Sequence, residues 1–375
     1  MEGNVASAIH RKPAGNANKT RPLRYGEIFG DYMVTGFAGK GATSLVYQAR
    51  PIDSFNQVAI KVLHPHLLAD PTKRRKFYRE ARIMMRMRHR NVVRFREIIE
   101  GDGVLAYVME YIDGVTLEEW MKTDAQHVEE SVLARLFVDI LRGLSHAHKH
   151  GVVHRDLKPA NILIAEENGR YQAKIIDFGL ARFLDQPLTK DEKSKIAGTA
   201  AYISPEEVRD PDTVCESSDI YSIGVMLYEA ATGARPFDDD NPRDMLDAHV
   251  ERNPQRPRDK NPGLTPQFED VIMRTLDKHP ERRYDSAPEM IRALEVALQE
   301  AMQEQMRVQA LETAATTEWS RPEDGEGGAQ RAMMFVYVMT ALRAMFTVFA
   351  STGAEDSNSR AHYLNRVDDM NVPLG

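Results

Sequence analysis

The sequence predicts an α+β fold in two unequal parts, a small antiparallel sheet carrying one helix and a larger, mostly helical part. Two observations lead there. Between Asp31 and Tyr111, the short apolar or alternating runs Tyr32 to Phe37, Leu45 to Ala49, Val58 to Leu63 and Leu105 to Glu110 are separated by Gly, Pro, Asp and Asn, the pattern of strands and turns. After Gly114 the periodicity turns helical, over Val132 to His148, Ser218 to Thr232, Phe268 to Leu276 and a long helix beginning near Ser286.

Taken in chain order, Met1 to Arg24 is rich in Asn, Ala, Gly and Lys and lacks the apolar core of a secretory signal, so residues 1–30 read as a disordered tail and the cytoplasm as the default location. Between the third and fourth strands, Lys73 to Met87 places Phe77, Ala81, Met84 and Met85 at helical spacing; the basic residues on its other faces read as a solvated surface. Ser286, Pro288 and Glu289 read as a capping box with proline in the first turn, and Ile291, Leu294 and Leu298 as the buried stripe that follows. Arg321 to Gly328 is a linker by composition, and no internal repeat occurs. A 375-residue chain that is 42% hydrophobic and 28% charged holds one large or two modest cores. Its net charge of −7 argues against nucleic acid as the main partner. The single cysteine, Cys215, excludes an intramolecular disulfide and, with no Cys/His cluster around it, argues against a structural zinc; it reads as a half-buried small apolar residue.

The chemistry gathers in a few segments. Gly39 and Gly41 stand at a turn between two strands, where missing side chains let backbone N–H groups approach phosphate. Lys61 lies within a buried strand, Val58-Ala59-Ile60-Lys61, and needs an anion to offset its desolvation; Glu80 on the amphipathic helix can supply one. His154-Arg155-Asp156-Leu157-Lys158-Pro159-Ala160-Asn161 precedes a strand, and Lys174-Ile175-Ile176-Asp177-Phe178-Gly179 follows a second. Asn168-Gly169 between them is a hairpin signal, so Asp156, Asn161 and Asp177 come to one end of a ribbon. Asn161 and Asp177 are hard oxygen donors suited to Mg²⁺, which leaves Asp156 to receive a hydroxyl proton.

In this order the motifs resemble the eukaryotic-like protein kinases, and within them the bacterial serine/threonine kinases. The resemblance runs on through Gly198-Thr199-Ala200-Ala201-Tyr202-Ile203-Ser204-Pro205-Glu206, Ser218-Asp219 and His279-Pro280-Glu281-Arg282-Arg283, so it spans roughly residues 31 to 300. It implies a bilobal protein-kinase fold, with an N-lobe over 31–112 whose one helix is regulatory, a helical C-lobe over 113–300, a helix extension and linker over 301–330, and an apolar helix with a polar tail over 331–375. The activity it implies is transfer of the ATP γ-phosphoryl group to protein Ser/Thr hydroxyls with Mg²⁺, or Mn²⁺ in its place. Ala38, Gly39, Lys40, Gly41, Ala42, Thr43, Ser44 and Val46 would cover ATP, Lys61 would bind its α/β-phosphates and Glu80 would orient Lys61. Ala59 would line the adenine pocket, with Met109 as gatekeeper and the backbone of Glu110 and Ile112 facing the base. Lys158 would contact the γ-phosphate, and Thr199 would brace Asp156 and Lys158. Asp219 should hold the catalytic loop from below, and Glu206 should pair with Arg283. Two departures stand out: Ser44 replaces the third glycine of the phosphate loop, and Ser204 the alanine of an A-P-E triplet.

The resemblance further implies that Arg155 binds a phosphorylated residue of the activation loop, with Thr189 or Ser194 the autophosphorylation candidates, and a homodimer would serve transfer in trans. Residues 332–350 are apolar but interrupted by Arg343. Insertion of the apolar side chains is worth ~2 to 4 kcal/mol against ~2.5 to 3.5 for a central arginine, so a membrane span and an interfacial or docking helix both stay open. A pseudokinase scaffold would have lost one of Lys61, Glu80, Asp156, Asn161 or Asp177; none is lost. A small-molecule phosphotransferase would lack the segment from Gly198 to Glu206.

Overall fold

The computed structural model describes residues 9–10, 23–101, 103–123, 129–183 and 200–319. They fall in two compact units, one within residues 1–254 and 271–295, the other within 255–270 and 296–375.

The first unit holds a seven-stranded sheet formed by β1 (Ile9–His10), β2 (Ile28–Phe29), β3 (Tyr32–Lys40), β4 (Ser44–Pro51), β5 (Val58–Leu63), β6 (Phe95–Gly101) and β7 (Val104–Glu110), in the order β1-β6-β7-β5-β4-β3-β2. Only β1 runs parallel to its neighbour. All six residues of β5 are buried, as befits a central strand covered on both faces. One face packs Tyr47, Val58, Ile60, Val62, Ala106 and Val108 into an apolar core. Sequence periodicity finds four of these seven strands and misses the two-residue β1 and β2 as well as β6. There a register shift between Phe95 and Glu97 breaks the alternation, and Ile98 and Ile99 are buried side by side.

Helix α1 (Pro71–Arg86) is capped by Asp70, whose carboxylate accepts from the N–H of Thr72 at 2.8 Å and of Lys73 at 3.3 Å. It buries Phe77, Ala81 and Met84 as expected, with Ile83 and Glu80; Met85 is only half-buried, one step around the helix from the stripe.

Beyond the sheet come β8 (Val115–Thr116), α2 (Leu117–Thr123), α3 (Glu130–Lys149), β9 (Val152–Val153), β10 (Ile162–Glu167), β11 (Arg170–Ile175) and β12 (Arg182–Phe183). The β10–β11 hairpin turns on Asn168 and Gly169 with φ of 53° and 70°, the two positive values a type I′ turn demands. Its other edge takes β8. There a side chain at Gly114 would lie 2.3 Å from Ile164 O, so that position admits only glycine. The α-helices that follow are α4 (Pro205–Arg209), α5 (Glu216–Thr232), α6 (Pro242–Glu251), α7 (Pro257–Lys260), α8 (Pro266–Thr275) and α9 (Ala287–Trp319). Cys215 is half-buried at the N-cap of α5, where its N–H donates to Ser218 Oγ at 3.2 Å.

In the second unit Glu269 is the organising acid. It pairs with Arg256 at 2.6 Å and accepts from Arg258 N at 2.7 Å. Helix α9, which belongs to the first unit as far as Glu295, departs from expectation at its start. The Glu289 carboxylate accepts from Asp285 N rather than Ser286 N, because it also binds Arg274 at 2.8 Å. The buried stripe is Met290, Leu294, Ala297 and Ala301, with Ile291 and Leu298 only half-buried. No helix among the described residues is long and apolar enough to cross a membrane; residues 332–350 lie outside them.

Candidate active site

The sheet register assembles the upper half of the site. Lys61 on β5 stands between Val46 on β4 and Tyr107 on β7, and Val46 faces Gly39 on β3. Two residues along, Ala59 is flanked by Gln48 and Met109. Directly opposed side chains, and those two apart on one strand, share a face. Val46, Ala59, Lys61 and Met109 therefore line one surface, as the adenine and phosphate assignments require.

The loop joining β3 and β4 closes tightly. Gly41 N donates to Ser44 O at 2.8 Å, and Thr43 O accepts from His64 N at 2.9 Å. Neither Gly39 nor Gly41 has a positive φ, nor does Ser44, so the serine costs the loop no left-handed residue. What Gly39 contributes is room: a Cβ there would meet nothing within 4 Å. Ala38 and Lys40 share β3 with it, while Ala42 and Thr43 form the tip. Glu110 ends β7; its N–H is taken by Arg94 O at 2.9 Å and its carboxylate by Lys174 at 2.6 Å. Ile112, half-buried, and the exposed Asp113 follow in the loop to β8.

Lys61 joins the two halves. Its Nζ donates to Glu80 Oε1 at 2.7 Å and to Asp177 Oδ2 at 3.2 Å. The Tyr107 hydroxyl, which sequence reading missed, donates to the same Glu80 oxygen. Burial alone would lower the Lys61 pKa, but Asp177 and Glu80 hold it well above the usual range. For Glu80 burial dominates and raises its carboxyl, with Asp177 adding to the rise. Burial would also raise Asp177, yet Lys61 and the Gly179 N–H, 2.8 Å away, hold it below the usual carboxylate value. Phe178 is fully buried against the His154 ring, with centroids 4.9 Å apart, which seats the segment so that Asp177 faces Lys61.

The catalytic loop lies between β9 and β10. Asp156 Oδ2 accepts from Lys158 Nζ at 2.8 Å and from Asn161 Nδ2 at 3.3 Å; Asn161 Nδ2 also donates to Asp156 O at 2.8 Å. The second oxygen, Asp156 Oδ1, is buried with no hydrogen-bond partner among the described residues. Such an orphaned acceptor suits a substrate hydroxyl. Asp219 fixes the loop from beneath, accepting from His154 N and Arg155 N at 2.9 Å each and from His148 Nε2 at 2.8 Å. Arg155 has φ +67°, a strained value that these bonds hold in place.

The Arg155 guanidinium, expected to meet a phosphorylated residue of the activation loop, has its Nε buried and without a hydrogen-bond partner among the described residues. It is buried and donates to Glu207 Oε1 at 2.9 Å. Glu207 lies in the first turn of α4, whose N-cap is Ser204, so the serine of Ser204-Pro205-Glu206 caps a helix. Burial pushes the Glu207 carboxyl up to about 7 despite the guanidinium. The neighbouring Glu206 makes the expected pair with Arg283, bidentate at 2.8 Å on both oxygens, with Ser218 Oγ a third donor at 2.7 Å. Thr199, the bracing candidate, and Thr189 and Ser194 lie outside the described residues.

These groups fit a nucleotide with a divalent cation. Among the described residues Lys61 is the one cation paired with Glu80 and Asp177, so this cluster carries excess negative charge, with the amide of Asn161 immediately before strand β10. Mg²⁺ favours such donors and takes its remaining ligands from phosphate and water.

Comparison with known proteins gives the family. Residues 32–295 match the family described as protein kinase domain. The chain is 37% identical over 264 residues to serine/threonine-protein kinase PknB of Mycolicibacterium smegmatis, covering 69% of this chain and 41% of that protein. It is 35% identical over 286 residues to serine/threonine-protein kinase Pkn1 of Myxococcus xanthus, covering 76% and 40%. The crystal structure of the Mycobacterium tuberculosis PknI kinase domain superposes with a TM-score of 0.57 at 26% identity, covering 74% of this chain and 100% of that one. The chain thus matches less than half the length of these two curated relatives.

Proposed function

We propose, on the premise that this chain belongs to the protein kinase family, that it transfers the γ-phosphoryl group of ATP to Ser or Thr hydroxyls of proteins. The observation that carries this reading is the convergence of Lys61 on both Glu80 and Asp177, which ties α1, the sheet and the metal-binding segment together. Mg²⁺, when bound, neutralises phosphate charge and orients the transferring group. Asn161 and Asp177 are the chain's ligands for it, and Lys61 faces the α/β-phosphates. Val46, Ala59 and Met109 enclose adenine, whose polar edge meets the backbone of Glu110 and Ile112; with the Glu110 N–H already engaged, its carbonyl is the group available. Asp156 Oδ1 orients the acceptor hydroxyl and takes its proton, while Lys158 counters charge on the transferring group. Thr199 braces both. We take 31–112 and 113–300 as the two lobes, with autophosphorylation at Thr189 or Ser194 in a transient homodimer, in the cytoplasm. Contact of residues 332–350 with a membrane is a separate proposal.

Titration with ATP and with a non-hydrolysable analogue tests the nucleotide site. With Mg²⁺, the wild type should bind at least about tenfold more tightly than in chelator, and Asp177→Asn should abolish that difference. Equal affinity with and without Mg²⁺ would contradict the assignment of Asn161 and Asp177.

A further inference from the structure

Residues 73–96 hold eleven Lys and Arg and one acid, Glu80, which is buried. Removing those residues, +10 in all, from a chain of net charge −7 leaves −17 on the rest. On α1 four of the seven basic residues share one face, with Lys73, Arg74 and Lys76 outside it. At ~100° per residue, Arg75, Arg79, Arg82 and Arg86 fall within an arc of ~60°, on the face opposite Glu80 and Met84. Arg75 and Arg82 are exposed and form no ion pair among the described residues; Arg79 and Arg86 are already engaged. The first turn contains no acidic residue; the carboxylates beside it are Asp70 at the cap and Glu100, which pairs with Arg74 at 2.7 Å.

Like charges three and four residues apart weaken a helix, and cations near its N-terminus weaken it further. Arg75 and Arg82, exposed on this face, gain most from an anion laid along it. Guanidinium forks match carboxylates bidentately, and Arg75 to Arg86 extends over about 17 Å, the reach of about five or six extended residues. A duplex nucleic acid or a membrane plane would cover a wider footprint and meet the net −17 of the remaining chain. A short acidic segment would not. We propose that the arginine face of α1 is a docking surface for an acidic segment of another protein, and that its occupation steadies α1 and with it the Lys61–Glu80 pair.

The test uses the full chain and a fluorescent peptide of about six Asp and Glu residues with no Ser, Thr or Tyr, with duplex DNA and phosphatidylserine vesicles as comparators. Binding is read by anisotropy or co-sedimentation at low and moderate ionic strength. The peptide should bind the wild type, weaken about tenfold in Arg75→Gln/Arg82→Gln, and raise phosphorylation of a generic substrate about fivefold in the wild type alone. Absence of peptide binding at low ionic strength, equal binding to the variant, or tighter binding of DNA or vesicles than of peptide would overturn the proposal. Peptide binding without any change in rate would overturn the coupling to α1. The anisotropy readout needs no catalysis, so failure of docking and failure of the kinase reading are distinguishable.

Discussion

Lys61 makes two ion pairs, to Glu80 and to Asp177, and only the first is encoded in local sequence logic. A lysine inside an apolar strand demands an anion, and a lone acid on the buried face of a nearby helix answers. Tyr107 gives no such sign, since a tyrosine in a strand reads as core; its hydroxyl is found only once β5 and β7 are paired. Glu80→Gln keeps an acceptor for Tyr107 but removes the charge, and should lower kcat/KM at least about tenfold, ~1.4 kcal/mol, chiefly through weaker nucleotide binding. Unchanged steady-state kinetics would argue that the pair is structural only. Glu207 was also illegible, being one of two adjacent glutamates of which only Glu206 matches a motif. Its folded pKa of about 7 lies above its ordinary value of 4.5, so its contribution to stability is full below pH 4.5 and is lost as pH rises through about 7. Thermal melts should accordingly show Glu207→Gln gaining on the wild type between about pH 5 and pH 8, by a few kcal/mol at most. A constant difference across that window would mean that Arg155 holds Glu207 ionised throughout.

Elements were legible where their period was clean. Helices α3, α5, α8 and α9 and the strands Val58–Leu63 and Val104–Glu110 emerge within a few residues of their bounds, because each is long or mostly apolar; α2, α4, α6 and α7, short or strongly polar, do not. Strand β6 was hidden by a bulge, and the stripe of α9 was displaced because alanines 297 and 301, rather than larger residues, occupy the close-packed side. The packing of α3 on the loop before β6 also depends on an absence: a Cβ at Gly143 would sit 2.6 Å from Asn91 O, a backbone atom that cannot swing aside. Asn91 is itself anchored, its Nδ2 donating to Ala173 O at 2.9 Å. Gly143→Ala should therefore cost ~1 to 3 kcal/mol by overpacking despite its better helix propensity. A calorimetric midpoint equal to or above the wild type would show that the loop can yield.

At the scale of the first unit, the activation segment is anchored to the helical part through Glu206 and Arg283. Arg283 is 1% exposed, and beyond the carboxylate it donates to Asp277 O at 2.7 Å and Ser217 O at 3.0 Å. Loss of one partner from such a pair leaves an uncompensated charge, so Arg283→Ala should destabilise by ~3 to 5 kcal/mol and lower the melting temperature by at least about 6 °C. An unchanged melting temperature would contradict the anchoring role. The family resemblance made this pair foreseeable, while the Asn168-Gly169 turn brought Asp156, Asn161 and Asp177 to one end of a ribbon on local signals alone. Spatial neighbours that no motif marks, such as His148 beneath Asp219, required the fold. The most direct test of the whole account is transfer of label from γ-³²P-ATP with Mg²⁺ to a generic basic protein by the wild type and by Asp156→Asn. The wild type should label serine or threonine in the acceptor, and the variant should fall by about 10² to 10⁴-fold. Equal incorporation by the two proteins would contradict phosphoryl transfer through Asp156.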